Sequence, residues 1–250
     1  MSGRLFVIGL GPAGEAMMTP EATQALASAQ EVLGYAPYLA RLPEIPGQNR
    51  HPSDNRVERG RAGQALALAA AGRDVALVSG GDAGVFGMAA TVFEAIADGD
   101  PAWRRLDITV IPGITAMLAA SARLGAPLGH DFCAISLSDN LKPWTLIEKR
   151  LRAAAEADFV IALYNPLSRA RPWQLGAAFA ILAAILPPTT PVAFARAIGR
   201  ADETVALFSL VAADPGLADM ATLVLIGARA SRLIPRPEGR PWFYTPRSAS

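Results

Sequence analysis

The sequence predicts an α/β protein with largely parallel sheets, folded as two domains. Short runs of β-branched and aliphatic residues alternate with Ala- and Leu-rich stretches of helical pattern along nearly the whole chain. Alternation of that kind marks parallel strands crossed by helices. Glycine-rich loops follow several of the apolar runs, as strand-to-helix turns require. At 124–129 the stretch LGAPLG interrupts the helical pattern, and the alternation then starts afresh. This places α/β domains at 1–125 and 126–250, each of ordinary size. A cleft between domains, and the carboxyl ends of strands, are where such folds bind ligands.

The elements follow in order. LFVIG at 5–9 reads as a strand. Thr19-Pro20-Glu21 then opens a helix over 20–29. Thr19 serves as N-cap, Pro20 takes the first helical position, where no backbone donor is needed, and Glu21 lies in the first turn. A strand at 32–35, a helix at 56–71, the apolar strand VALVS at 75–79 and a helix at 89–98 come next. DITVI at 107–111 is a strand, followed by a helix at 114–123. Beyond the interruption come a strand at 132–136, a helix at 144–157, a strand at 159–164 and a helix at 175–186. Strands at 191–195, 203–209 and 222–226 close the series, with a short helical segment at 210–212.

Composition narrows the function classes. The chain of 250 residues carries 23 basic and 22 acidic side chains, a net charge of +1. That balance leaves no electrostatic footprint for nucleic acid or an anionic membrane. A single cysteine, Cys133, excludes an intramolecular disulfide and a cysteine-cluster metal site. Two histidines, His51 and His130, argue against a histidine-built metal centre. The opening MSGRLFVIGL runs straight into a strand, without the pattern of a leader peptide, and the longest apolar runs are too short to span a bilayer. A soluble cytoplasmic protein is expected, with no metal, no nucleic acid and no membrane partner.

Four strand ends carry ligand-binding character. Gly9-Leu10-Gly11-Pro12-Ala13-Gly14 matches the G-x-G-x-x-G pattern of a dinucleotide turn. That turn needs a helix starting among its glycines, so that the helix N-terminus faces a pyrophosphate. Here Pro12 intervenes, the helix starts only at Thr19-Pro20, and Glu31 precedes the second strand instead of following it. A dinucleotide-dependent oxidoreductase is therefore the lesser reading. The second loop, Gly80-Gly81-Asp82-Ala83-Gly84, ends a buried strand. Its glycines let a ligand approach the backbone, and Asp82 offers a carboxylate either to a ligand or to its own turn. Pro112-Gly113-Ile114-Thr115-Ala116 and Tyr164-Asn165-Pro166 repeat the theme. Four such ends point to a nucleoside-like small molecule.

These stretches also carry a resemblance. SGGDAGVFGMA, PGITAMLAASARLGAPLGHDFCAISLSDNLKPW and ALYNPLSRAR resemble the tetrapyrrole methylases nearly end to end. Within that family the chain is most similar to the members that methylate precorrin-3B at C-17 and contract the ring. Close alternatives are the cobalt-containing version of that substrate, or a sibling methylase acting elsewhere on the ring. One departure is plain: the family's Gly-Pro-Gly, followed by Asp or Ser, reads here Gly11-Pro12-Ala13-Gly14, with Glu15 one position late. The resemblance implies two αβα domains, a homodimer, and S-adenosylmethionine bound between the domains and released as S-adenosylhomocysteine. It implies a cofactor site at Pro12, Gly80, Gly81, Asp82, Val85, Thr115, Ala116 and Asn165. It sets Gly9 and Gly11 toward the tetrapyrrole.

Methyl transfer from a sulfonium demands alignment more than covalent help, and the sequence holds no Ser/His/Asp or Cys/His constellation. Ring contraction differs, because a hydroxyl on the bridging carbon must lose a proton while a carbon–carbon bond migrates. That step calls for a base. Asp139 in SLSD, Glu15 and His130 are the candidates, each with a plainer role open to it as turn cap, solvated loop residue or core histidine. Arg169 and Arg171, with Lys142 and Arg150, can pair with substrate carboxylates or serve as solvated surface charge.

Overall fold

The structure, a computed structural model, describes residues 2–54 and 57–248. The chain divides into two compact units, Met1–Ala116 and Met117–Ser250.

The first unit contains β1 (Arg4–Gly9), α1 (Pro20–Ser28), β2 (Glu31–Tyr35), α2 (Ala36–Leu39), β3 (Asn49–Ser53), α3 (Glu58–Ala70), β4 (Val75–Ser79), α4 (Met88–Asp98) and β5 (Asp107–Ile111). Its five strands form one sheet in the order β3-β2-β4-β1-β5, with every pair parallel. The period of two along each strand sorts the core onto two faces. Leu5, Val7, Leu33, Val75 and Leu77 pack with Ala62, Leu66 and Val92 of α3 and α4. Ile8, Val32, Ala76 and Val78 pack with Ala22 and Leu26 of α1 and with Leu39. β4 lies near the middle, buried along all five residues, which is why VALVS reads as a continuous apolar run. The Thr19 hydroxyl accepts the Ala22 N–H at 3.1 Å, so α1 starts where its cap requires.

β3 escapes a pattern reading, because NRHPS carries neither alternation nor β-branched residues. It is an edge strand, the position where Pro52 is tolerated. The following helix begins at Glu58; the expected start at Arg56 lies outside the described residues.

The second unit opens with α5 (Ala116–Leu124) and β6 (Gly125–Ala126), followed by β7 (Phe132–Ser136), α6 (Trp144–Glu156), β8 (Val160–Tyr164), α7 (Gln174–Ala183), β9 (Pro191–Arg196), β10 (Thr204–Ser209), β11 (Thr222–Ile226), β12 (Arg232–Ile234) and β13 (Trp242–Tyr244). The main sheet runs β10-β9-β11-β8-β7. Ile161, Leu163, Val192, Phe194, Val224 and Ile226 share a core with Ile147 and Leu151 of α6 and with Leu175, Phe179 and Leu182 of α7. Only β7 and β8 pair in parallel; the other three pairings are antiparallel. The expectation of largely parallel sheets therefore holds for the first unit and is corrected for the second. The reason is the loss of crossover helices after α7. β9 returns into β10 through the short loop 197–203, and a short return joins antiparallel neighbours. The segment expected to be helical at 210–212 is a single 3-10 turn.

The LGAPLG interruption has a structural cause. Gly125 and Ala126 pair with β13 in a small third sheet, β12-β13-β6. Gly125 holds φ +126°, and a side-chain carbon there would meet the Phe243 carbonyl oxygen at 2.9 Å. The composition shift therefore lies inside the second unit, and the units part at 116/117 instead of 125/126.

Candidate active site

β1 lies between β4 and β5, so the loops that leave their carboxyl ends run side by side. Their backbones are joined. Gly11 N–H donates to Gly81 O at 2.9 Å and Gly81 N–H donates to Gly11 O at 2.8 Å. A side-chain carbon on Gly9 would come within 2.7 Å of Gly113 N and 2.8 Å of Gly81 O. The glycines at 9 and 113 are thus required by three chain segments meeting backbone to backbone. Asp82 completes the joint. Its Oδ1 accepts Gly84 N–H at 2.7 Å and its Oδ2 accepts Gly113 N–H at 2.9 Å. The carboxylate caps its own turn and clamps the loop after β5, while unused lone pairs remain for a ligand.

Of the residues assigned to the cofactor, Gly81, Thr115 and Ala116 come together. Gly81 sits at φ +70°, and a carbon built on it would lie 3.8 Å from Thr115 Cα and 3.9 Å from Ala116 N. Both distances are ordinary van der Waals contact, so the loop after β4 packs its main chain against the start of α5. Val85 is half-buried on the same loop. Gly80 has a different reason to be glycine: the Tyr38 ring fills the space, 2.6 Å from where a side-chain carbon would stand. Pro12 is half-buried, and its carbonyl accepts Arg41 Nη1 at 3.3 Å. The Arg41 guanidinium stacks 4.8 Å over the Tyr38 ring. Glu15 is exposed in a 3-10 turn, Glu15–Met17, that separates the glycines from α1.

In the second unit, β7 and β8 end together, Ser136 opposite Tyr164. Asn165 follows at φ +50°, a left-handed conformation that Asn accepts more readily than most residues. Its Nδ2 donates to Ser136 Oγ at 3.0 Å, and its carbonyl accepts Arg171 Nη1 at 3.2 Å. Ser168 and Arg171 exchange backbone hydrogen bonds and shape the turn between them. Arg171 is 9% exposed and has no carboxylate partner among the described residues. Arg169 and Arg150 are exposed. Asp139 lies on the loop after β7, where its Oδ2 accepts Gln174 Nε2 at 3.2 Å. Lys142 on that loop is held below the ordinary lysine range by burial and by Arg150, with Asp139 acting the other way. Trp144 and Trp173 meet edge to face at 4.8 Å. The Tyr164 hydroxyl accepts Met117 N–H at 3.1 Å.

His130 is not part of this group. It precedes β7, whereas Asp139 follows it, and a five-residue strand separates them. Its Nδ1 accepts the Asp131 N–H at 2.7 Å.

The family model "Tetrapyrrole (Corrin/Porphyrin) Methylases" matches residues 4–213. The chain belongs to the tetrapyrrole methylases. A Sinorhizobium sp. protein named precorrin-3B C(17)-methyltransferase is 58% identical over 248 residues, 99% of this chain and 97% of the relative. A Salmonella typhimurium protein named probable cobalt-factor III C(17)-methyltransferase is 46% identical over 91% of this chain and 93% of the relative. The crystal structure of the methyltransferase CobJ superposes with a TM-score of 0.93 at 50% identity, covering 98% of this chain and 100% of that one.

For a tetrapyrrole methylase, the positive-φ residues outside glycine are informative. Asn165 and Ala197 each lie directly past the carboxyl end of a strand, Phe86 lies in the loop just before α4, and Asp158 simply terminates α6. Strained backbone gathers at ligand sites. Ala197, like Ser136, Tyr38, Arg41 and Gln174, was missed by sequence reasoning. The importance of each lies in a dihedral, a burial or a partner distant in sequence, and no local motif records these.

Proposed function

We propose that this tetrapyrrole methylase transfers a methyl group from S-adenosylmethionine to C-17 of precorrin-3B and contracts the ring to precorrin-4, a step of cobalamin biosynthesis. The observation that carries this reading is the 58% identity to the Sinorhizobium relative over 99% of the chain. The residues proposed to hold the cofactor are Pro12, Gly80, Gly81, Asp82, Val85, Thr115 and Ala116 and, in the second unit, Asn165. The approach of main chain at Gly81 to Thr115 and Ala116 supports that set. S-adenosylmethionine, when bound, supplies a methyl group as a sulfonium.

The chain's own task is to hold the acceptor carbon in line and to keep the loops rigid. Alignment of this kind lowers a barrier by up to about 7–11 kcal/mol. Asp82 contributes by fixing the loops after β4 and β5 to each other. Arg171 supplies a desolvated guanidinium for a substrate carboxylate, with exposed Arg169 beside it. Gly9 and Gly11 keep the first loop close enough to meet the tetrapyrrole. The methyl group takes an electron pair from the macrocycle and leaves it one positive charge richer. Loss of the hydroxyl proton restores the charge. The O–H pair becomes the second bond of a carbonyl, and the migrating carbon–carbon pair fills the electron-poor neighbouring carbon. Asp139 is the base we assign to that proton. Exposed Glu15 has no side-chain partner among the described residues to orient it, and His130 lies at the other end of β7.

We place the enzyme in the cytoplasm as a homodimer. Among the described residues no helix is long and apolar enough to cross a membrane. The decisive assay incubates purified protein with S-adenosylmethionine and precorrin-3B. One S-adenosylhomocysteine should appear per macrocycle methylated, with the ultraviolet–visible change of contraction. A second reading, the cobalt-containing substrate, is favoured by the Salmonella relative. Faster turnover of the cobalt form in the same assay would replace the first.

A further inference from the structure

We infer that Gln174 is a positioning residue that holds the Asp139 carboxylate ready to receive the proton lost in ring contraction; the inference rests on Asp139 being the base. Gln174 opens α7 and is 1% exposed. Its neighbours on the helix, Leu175, Ala178 and Phe179, are core residues. Packing alone asks for an apolar side chain at such a place, yet an amide stands there. Its Nε2 donates to Asp139 Oδ2 at 3.2 Å, and its Oε1 is buried with no hydrogen-bond partner among the described residues. A buried acceptor left unmade costs about 1–3 kcal/mol, so the amide weakens the fold unless it serves something else.

The two ends of the amide explain what that is. Toward an ionised Asp139 the amide offers N–H, as observed. Toward a protonated Asp139 a half-turn of the amide offers Oε1, which then accepts the newly arrived proton. The proton moves from the substrate hydroxyl to Asp139, and the turned amide accepts the carboxyl O–H through Oε1 while Nε2 takes the oxygen's former place. One side chain thereby holds the carboxyl in place in both states. The topology supplies the meeting: β7 and β8 are parallel neighbours, so the loop carrying Asp139 and the loop leading to Gln174 leave the same edge of the sheet. The other charged groups near Asp139 are Lys142 on its own loop and, beyond it, Arg150 on α6.

Single-turnover reactions of Gln174→Met, Gln174→Glu and Asp139→Asn test this, reading S-adenosylhomocysteine release and contraction separately. Gln174→Met keeps length and bulk. It should slow contraction at least tenfold more than methyl transfer, so that methylated, uncontracted macrocycle accumulates. Gln174→Glu places two carboxyl groups at hydrogen-bonding distance, where both do not ionise freely. The acid limb of its contraction profile should move upward by at least one pH unit, an effect that mere packing loss does not produce. Equal slowing of both steps in Gln174→Met, or an unmoved acid limb in Gln174→Glu, overturns the role of Gln174. If Asp139→Asn slows contraction while the Gln174 variants do not, the base assignment stands and this inference alone fails. If Asp139→Asn contracts at the wild-type rate, the base assignment itself is lost.

Discussion

Arg171 brings a positive charge to a position only 9% exposed, where the guanidinium's one hydrogen-bond partner among the described residues is the carbonyl of Asn165. Desolvating a guanidinium without a counterion costs several kcal/mol, and the cost is recovered when an anion arrives. A carboxylate on the substrate is such an anion, and Arg offers it two parallel donors. Arg171→Met keeps the bulk and removes both the charge and its desolvation penalty, so the fold should lose little. Its apparent KM for the tetrapyrrole should rise at least tenfold, about 1.4 kcal/mol. The salt dependence of KM should flatten, because the net charge of +1 steers nothing by itself. A KM equal to wild type at both low and high salt would reduce Arg171 to a strut for its loop. The sequence singled out this residue through the family-like stretch ALYNPLSRAR. Gln174, three positions on, was not legible, because its meaning lies in one unpaired atom.

At the scale of elements, β2 and β3 are held by an ion cluster. Glu31, 5% exposed, accepts from Asn49 Nδ2 at 3.0 Å and Arg73 Nε at 3.0 Å, and meets His51 Nε2 at 2.7 Å. Burial pushes the Glu31 carboxyl up, while hydrogen bonds from His51, Asn49 and Arg73 pull it down further, leaving it below its ordinary value of 4.5. A lowered carboxylate contributes stability that is present above the unfolded-state value and is lost as pH falls through the folded one. Glu31→Gln should therefore cost about 1–3 kcal/mol at neutral pH. It should also make the fall in stability below about pH 4.5 shallower than in wild type. Urea midpoints measured across that range check both, and parallel curves for the two proteins would contradict the assignment. The cluster also explains why β3 was illegible. Strands with buried faces announce themselves by alternation, but NRHPS is fixed by polar partners on β2 and at Arg73, which no pattern within the strand reveals. Glu31, considered first as a ribose acid, sits at the amino end of β2, away from the loops.

The whole molecule decides between the two readings of its first glycine loop. In a dinucleotide fold the first strand lies between the second and the fourth, and a helix starts among the glycines at that switch point. Here β1 lies between β4 and β5, and α1 starts at Pro20 after a 3-10 turn. Gly11 spends its N–H on the Gly81 carbonyl, so that donor is not offered to a pyrophosphate. The same motif thus serves opposite ends according to sheet order: in one topology it opens toward a phosphate, in the other it ties two loops shut. Motif spacing was fully legible in the sequence, but sheet order was not, because it depends on pairings between strands far apart in the chain. Calorimetry separates the outcomes. Titration with S-adenosylmethionine should saturate, and NAD or NADP at millimolar concentration should give no saturable heat. NAD shares an adenosine moiety, so weak occupancy of the proposed cofactor site is removed by adding excess S-adenosylhomocysteine. Saturable NAD binding that persists under that excess would require a pyrophosphate site elsewhere, and would return the chain to the dinucleotide reading.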